Sequence, residues 1–269
     1  MFNIIKTCIS VVALTVTLAA CNASSSEPGQ ENSGQQGLTP SLNQAAYVYG
    51  TTRYEFGYNS IGNIKISGAP EDTDYQRWAM LHDGVDYRLY FFKQNSNNTL
   101  YQFAFNWSSM QYEYGYNSIT QLSITGAPTD ADAGSFAMLH DGSHYRLYMR
   151  GHNNPNRLYQ FAFNRNSGNY EYGYNSIATM DIIGAPTDTD WNRWAMLHDG
   201  TNYRLYFGKQ NSNDQLYQFA FNNSTHSYQF GYNSIATLTL VGIPAGTDTS
   251  SFAMLHDIND YRFYMLSME

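Results

Sequence analysis

Gly115-Tyr116-Asn117-Ser118-Ile119 is one of four copies of the same five residues, which begin at Gly57, Gly115, Gly173 and Gly231. The copies stand 58 residues apart, with no insertion between them. Reading outward from each, Ala-Met-Leu-His-Asp recurs at Ala79, Ala137, Ala195 and Ala253 with the same step. A fixed period of this length marks stacked supersecondary units, each unable to bury its apolar side alone. Within a unit the apolar pattern alternates. Tyr101, Phe103 and Phe105 share one side of a stretch, as do Tyr112, Tyr114 and Tyr116, and Tyr87, Leu89 and Phe91. Aromatic and branched residues at alternate positions predict strands, here at 78–82, 87–93, 100–106 and 112–116. Ile64 and Ile66 predict a further short strand or a turn of helix. Asp83-Gly84, Asp141-Gly142 and Asp199-Gly200 punctuate tight hairpins.

Units of about four strands that repeat four times predict an all-β fold, a four-bladed β-propeller. Leu-Tyr-Gln-Phe-Ala-Phe occurs only at 100, 158 and 216, and after Tyr261-Arg262-Phe263-Tyr264 no fourth copy follows. Tyr47-Val48-Tyr49, ahead of Tyr54-Glu55-Phe56-Gly57, stands where the missing strand belongs. The last blade is therefore expected to take inner strands from the C-terminal end and outer strands from the N-terminal end, leaving no open sheet edge.

Trp78-Ala79-Met80-Leu81, the Asp83-Gly84 turn, Tyr90-Phe91-Phe92-Lys93, Tyr101-Gln102-Phe103, Gly115-Tyr116-Asn117-Ser118-Ile119 and Gly126-Ala127-Pro128 together resemble the hemopexin-type repeat. The resemblance implies four blades and supplies no function. Where that family has Asp before the inner-strand Ala, this chain has Trp78, Phe136, Trp194 or Phe252.

The beginning of the sequence reads differently. Lys6 precedes an apolar run from Cys8 to Leu18, followed by Leu18-Ala19-Ala20-Cys21. A basic start, a short apolar middle and small residues at the end form a secretory signal, too short to favour a membrane span. Leu-Ala-Ala-Cys resembles the bacterial lipobox, which implies cleavage before Cys21 and a lipid on its thiol. Asn22 after that Cys implies, by the same resemblance, the outer membrane. The expected organisation is a signal peptide over 1–20, a flexible anchored tether over 21–46, rich in Ser, Gly, Gln and Asn, and the propeller over 47–269. Cys8 and Cys21 are the only cysteines, so the folded part has neither disulfide nor cysteine nucleophile.

Lys and Arg number 14 against 22 Asp and Glu, a formal charge of −8. An acidic chain lacks the basic footprint of a nucleic-acid binder. The partners expected are a membrane, through the lipid, and a glycan, peptide or protein ligand. Three sets of repeated residues are candidates for its recognition. His82, His140, His198 and His256, each followed by Asp, are read as structural, as are Arg88, Arg146, Arg204 and Arg262. Asp74, Asp132, Asp190 and Asp248 stand four residues before each inner strand. They are read either as turn caps or as oxygen ligands for Ca²⁺ at a channel mouth; no cofactor is required. The repeats also pair off. Arg77-Trp78 and Arg193-Trp194 occur in alternate units, with Ser135-Phe136 and Ser251-Phe252 between them. Arg and Trp are enriched where binding energy concentrates, so Arg77, Trp78, Arg193 and Trp194 are the candidate ligand residues. No Ser or Cys nucleophile recurs beside the His residues, which favours a non-enzymatic binding protein. A glycan lyase or hydrolase and a purely adhesive surface protein remain the alternatives.

Overall fold

The computed structural model describes residues 39–268, among which there are strands and turns and no helix. The signal peptide and Cys21 lie outside the described residues. The first strands are β1 (Pro40–Tyr47), β2 (Arg53–Phe56) and β3 (Asn63–Ser67). A full unit follows as β4 (Thr73–His82), β5 (Tyr87–Lys93), β6 (Thr99–Asn106), β7 (Gln111–Tyr114) and β8 (Gln121–Thr125). The next is β9 (Ala131–His140), β10 (Tyr145–Gly151), β11 (Arg157–Asn164), β12 (Asn169–Tyr172) and β13 (Thr179–Ile183). The third full unit is β14 (Thr189–His198), β15 (Tyr203–Lys209), β16 (Gln215–Asn222), β17 (Ser227–Phe230) and β18 (Thr237–Val241). The chain ends with β19 (Ala253–His256) and β20 (Tyr261–Met268).

Each full unit is an antiparallel meander whose third strand carries two short outer strands on one edge. β7 pairs with residues 103–106 of β6, and β8 pairs with residues 99–101. The Ile64 and Ile66 segment is thus a strand, as are its three copies. The four inner strands β4, β9, β14 and β19 each lie beside two of the others, which closes a ring around an axis.

The composite unit forms as expected, with one correction. β20 pairs along its length with β1, from Pro40 opposite Met268 to Ala46 opposite Arg262. Residues 40–46 are therefore part of the ring and not of the tether expected up to residue 46. Leu42-Asn43-Gln44-Ala45-Ala46-Tyr47 is a divergent fourth copy of Leu-Tyr-Gln-Phe-Ala-Phe, since Gln44 faces Tyr264 as Gln102 faces Tyr90. Its disguise has a packing cause. Leu89 faces Phe103 in a full unit, whereas in the composite unit Phe263 faces Ala45. The aromatic residue of the pair has changed strand, and Ala stands opposite it where the full units have Leu.

The units are also stitched to one another. β3 runs parallel to β7, β8 to β12, β13 to β17 and β18 to β2, each with main-chain pairing. These four parallel seams make one closed 20-stranded sheet.

Both faces of each meander are buried, which is what strict alternation produces when every face meets a neighbour. Trp78, Met80, Leu89, Phe91, Phe103 and Tyr112 pack against Leu42, Ile64, Leu255 and Leu266 of the composite unit. Ala79, Leu81, Tyr90, Phe92 and Leu122 on the other face pack against Phe136, Met138, Leu147 and Phe161 of the following unit. Two equivalent clusters occupy the remaining junctions. The aromatic positions read from the sequence are therefore packing between units, at roughly 1.5–3 kcal/mol for each large side chain buried.

Candidate functional site

The residues singled out from the sequence gather at one end of the axis, around a cavity of about 490 Å³ lined by Asp74, Arg77, Trp78, Trp194 and Asp248, among others. There they are mostly committed to one another. Trp78 and Trp194 are each only 4% exposed. Their indole Nε1 groups donate to Ser251 Oγ and Ser135 Oγ, both at 2.8 Å. The alternation of Arg-Trp with Ser-Phe is thus a pairing rule: each indole N–H needs the Ser of an adjacent unit. Arg77 donates from Nε to Asp74 at 2.7 Å, from Nη1 to Asn97 and the Ala133 carbonyl, and from Nη2 to the Lys93 carbonyl. Its guanidinium lies 4.5 Å over the Phe92 ring. Arg193 is buried and donates from Nη1 to the Ser212 carbonyl at 2.7 Å. It occupies the space a side chain at Gly208 would need, with Cζ 3.0 Å from the position of an added Cβ. The Trp rings are thus packed into the wall and Arg77 is held on every edge, whereas Arg193 keeps Nε and Nη2 buried without a hydrogen-bond partner.

Asp74, Asp132, Asp190 and Asp248 each accept from the backbone N–H two residues on, in Gln76, Gly134, Asn192 and Ser250, at 2.8–3.1 Å. That is an Asx turn. In β4 and β14 it coincides with a shift of register just before Trp78 and Trp194. Among the described residues no three His, Cys, Asp or Glu side chains gather to hold a metal.

His82, His140, His198 and His256 stand at the other end of the inner strands. Each ring lies 4.5–4.8 Å from the Tyr opposite it, Tyr87, Tyr145, Tyr203 or Tyr261. Burial lowers the pKa of His82, His140 and His198, so they are neutral at pH 7.

Open cavities with polar groups lie elsewhere, one at each junction between units. The first, of about 440 Å³, is lined by Arg88, Tyr90, Gln102 and Asn117-Ser118-Ile119 of one unit and by Tyr145, Phe163, Arg165 and Tyr170 of the next. The same positions line the other three: Arg146, Tyr148, Gln160 and Asn175 with Tyr203, Phe221 and Tyr228, about 350 Å³; Arg204, Tyr206, Gln218 and Asn233 with Tyr261, Tyr47 and Tyr54, about 330 Å³; Arg262, Tyr264, Gln44 and Asn59 with Tyr87, Phe105 and Tyr112, about 440 Å³.

The Gly-Tyr-Asn-Ser-Ile loop builds this site. Gly115 has φ +75° and Asn117 φ +42°, left-handed conformations that Gly and Asn adopt at least cost. The resulting turn aims the Asn117 carbonyl at Arg88 Nη1, and the other three copies do the same for Arg146, Arg204 and Arg262. Each Arg is held a second time, by Nε to the Asp that follows the inner strand, Asp83, Asp141, Asp199 or Asp257. The adjacent unit adds a third partner to that carboxylate. Tyr145 donates to Asp83 at 2.9 Å and Tyr87 to Asp257 at 3.1 Å. Burial alone would raise these carboxylates, but hydrogen bonds from backbone N–H groups together with the Arg, and from Tyr for Asp83 and Asp257, hold all four below the usual Asp range. Burial, with the Asp83 charge and hydrogen bond, pushes the Tyr145 hydroxyl up to about 12, so it stays a neutral donor.

The floor consists of hydroxyls and an amide. Gln160 Nε2 donates to Tyr148 at 2.6 Å and Gln218 Nε2 to Tyr206 at 3.2 Å. Tyr148 and Tyr228, from adjacent units, share a hydrogen bond there, and burial raises both far above the ordinary phenol value. Above this floor one Arg edge remains. Arg88 and Arg262 commit Nη2 to Asp86 and Asp260. His144 and Asn202 stand at those positions in the other two units, and among the described residues Nη2 of Arg146 and Arg204 has no ion-pair partner. Ile119, Ile177 and Ile235 form an exposed apolar lip. An arginine fork, hydroxyl and amide groups and aromatic walls can together bind a small polyhydroxylated molecule that has one apolar face.

The sequence reading of Arg88 and its copies as structural is met by their pairing with Asp83 and its equivalents, but it did not foresee that they also line a cavity. One signal for it was available: Arg, Gln, Gly-Tyr-Asn-Ser-Ile and the alternating Tyr are all kept in three or four units, while the turns between them vary.

No family model matches the chain. No curated protein matches it either. Among solved structures it is similar to AofleA from Arthrobotrys oligospora, with TM-score 0.37 and 14% identity over 82% of this chain and 62% of that one. It is similar also to the SapL1 lectin in complex with alpha methyl fucoside, with TM-score 0.32 and 14% identity over 84% of this chain and 64% of that one. The chain therefore spans a little over six-tenths of the length of these two proteins.

Proposed function

We propose that the protein is a non-enzymatic, multivalent glycan-binding protein: a four-bladed β-propeller with a sugar pocket at each junction between blades. The observation that carries this reading is the fourfold recurrence of one pocket, with an Arg anchored by Asp and a loop carbonyl, a Tyr–Gln floor and aromatic walls. Sugars present hydroxyls that an arginine fork and neutral Tyr or Gln groups can bind, and a face of C–H groups that packs on aromatic rings. A pocket of 330–440 Å³ suits one or two sugar rings rather than a protein epitope. Four weak sites on one rigid ring gain avidity against a repeating glycan, by effective concentration and without new contacts.

A glycan array followed by titration calorimetry tests this. A hit with more than one site per chain, weakened by Tyr148→Phe and Tyr206→Phe, is the expected result. An array without a hit, or a hit insensitive to both changes, ends the proposal.

We propose further that the protein is a lipoprotein of the bacterial cell envelope, anchored through Cys21 in the outer membrane. Leu18-Ala19-Ala20-Cys21 and the polar stretch after it support this. Cys21→Ser should leave the chain uncleaved or move it from the detergent phase to the aqueous phase on phase separation; unchanged partitioning of the variant would overturn the anchor.

A further inference from the structure

The four junction pockets share their floor but differ at their lip. The residue two places after the wall aromatic is Trp107 after Phe105, Arg165 after Phe163, Asn223 after Phe221 and Tyr49 after Tyr47. Trp107, Arg165 and Asn223 each line their pocket. Trp107 is 59% exposed and has edge contacts with Tyr87 and Phe105, which hold an aromatic platform at the opening. Arg165 is exposed and has no carboxylate partner among the described residues. Its pocket contains a second guanidinium, that of Arg88, and no acidic side chain among its lining. The pocket at Trp107, by contrast, includes Asp257 in its wall.

We propose that the pockets have diverged in specificity at this position, and that the one between the first and second full units, lined by Arg88 and Arg165, binds a sugar bearing a carboxylate. The inference rests on the glycan reading above and deepens it. A guanidinium is weakly hydrated and presents a planar fork that matches a carboxylate through two parallel bonds. Arg88 is fixed by Asp83, Asp86 and the Asn117 carbonyl, so it positions the sugar hydroxyls. Arg165, unpaired and at the lip, is the group free to meet an incoming charge. The rest of this acidic chain repels anions, which leaves that lip as a local exception. Asn223 at the same place in the next pocket offers an amide of similar reach and no charge, and Trp107 offers a stacking face for a neutral ring.

The test uses the methyl glycosides of glucuronate, galacturonate and N-acetylneuraminate, each uronate beside its methyl ester and the neuraminate beside its own. At least one acid should bind at one site per chain, about tenfold more tightly than its ester, with an affinity that falls as salt is added. Arg165→Gln should remove that preference and leave neutral-sugar binding at the other pockets unchanged. Asn223→Arg should create a second acidic site, raising the stoichiometry from one to two. Equal affinity for acid and ester, or an acid preference that survives Arg165→Gln, overturns the inference. If neutral sugars bind and acids are not preferred, this inference alone fails. If no sugar of either kind binds, the glycan reading fails with it.

Discussion

Two regions of the ring use the same residue types to opposite effect. Around the axis, Arg77 is enclosed by Asp74, Asn97, two carbonyls and the face of Phe92, and the Trp78 indole N–H is matched by Ser251. At the junctions, Arg146 is fixed on two sides, by Asp141 and the Asn175 carbonyl, and faces an open cavity on the third. Repetition alone does not separate a structural arginine from a ligand-facing one. Nor does donor satisfaction, since Arg193 at the axis leaves Nε and Nη2 unpartnered while Arg88 at a junction commits every edge; the surroundings do, a packed wall at the axis and an open cavity at the junctions. The axis should therefore respond to mutation through stability and the junctions through binding.

The largest effect expected is at the axis. Trp78→Ala removes a ring that is 4% exposed and leaves Ser251 without its donor, and it should cost ~3–5 kcal/mol in urea unfolding. A loss below ~1 kcal/mol would mean that the axial wall is not the packed core described here. Acid comes next. Asp83, Asp141, Asp199 and Asp257 have pKa values held down by folding, so they favour the folded state above the unfolded Asp value of ~3.9, and that contribution is lost as pH falls through their folded values. His82, His140 and His198, also lowered by folding, act in the same direction from about pH 6.5 downward. The melting temperature should therefore drop gently below pH 6.5 and steeply below about pH 4. Asp141→Asn should flatten the steep part, and an unchanged acid limb would break the assignment of that carboxylate.

At a junction floor, Tyr148→Phe removes a hydroxyl shared with Gln160 and Tyr228. It should cost only ~0.5–1.5 kcal/mol while abolishing sugar binding at that pocket. A large stability loss with intact binding would reverse the comparison. The smallest structural effect should come from Trp107→Ala, which is expected to stay within ~0.5 kcal/mol of the parent. Trp78 and Trp194 are buried and Trp191 is half-buried against Phe207, so Trp107 is the most exposed of the four tryptophans, and the loss of long-wavelength emission in this variant would identify it as the fluorescent reporter of ligand at its pocket.

The ring was legible because its cause is local and repeated. Period-two alternation within 58-residue repeats left little but strands whose two faces both meet a neighbour. The composite unit was legible too, although its starting point was not. Leu42-Asn43-Gln44-Ala45-Ala46 reads as polar tether because the large residue of its key pair sits across the sheet at Phe263. A volume shared between strands that meet only after closure is invisible along the chain. The parallel seams, such as Ile124 beside Tyr170, were missed for a similar reason: nothing in Leu122-Ser123-Ile124 says which of two neighbours its backbone will bond. The pocket residues were present in every repeat, but whether Arg88 ends in a core or a cavity depends on the adjoining unit's Tyr145 and Phe163. The Arg77-Trp78 signal was sharper, and what the structure attaches to it is a Trp–Ser pairing between units.

The register of β1 fixes how the molecule presents itself. Pro40 lies opposite Met268, and the Thr247–Ser267 bridge beside it places both at the end of the axis that bears Asp248. Arg88 and Arg146, by contrast, stand opposite Leu81 and Leu139, next to the His residues at the far end of the inner strands. Both ends of the ring's chain therefore leave from the side away from the pockets. A bead, surface or fusion partner attached at either one should hold the ring like a cup by its base, with all four openings unobstructed.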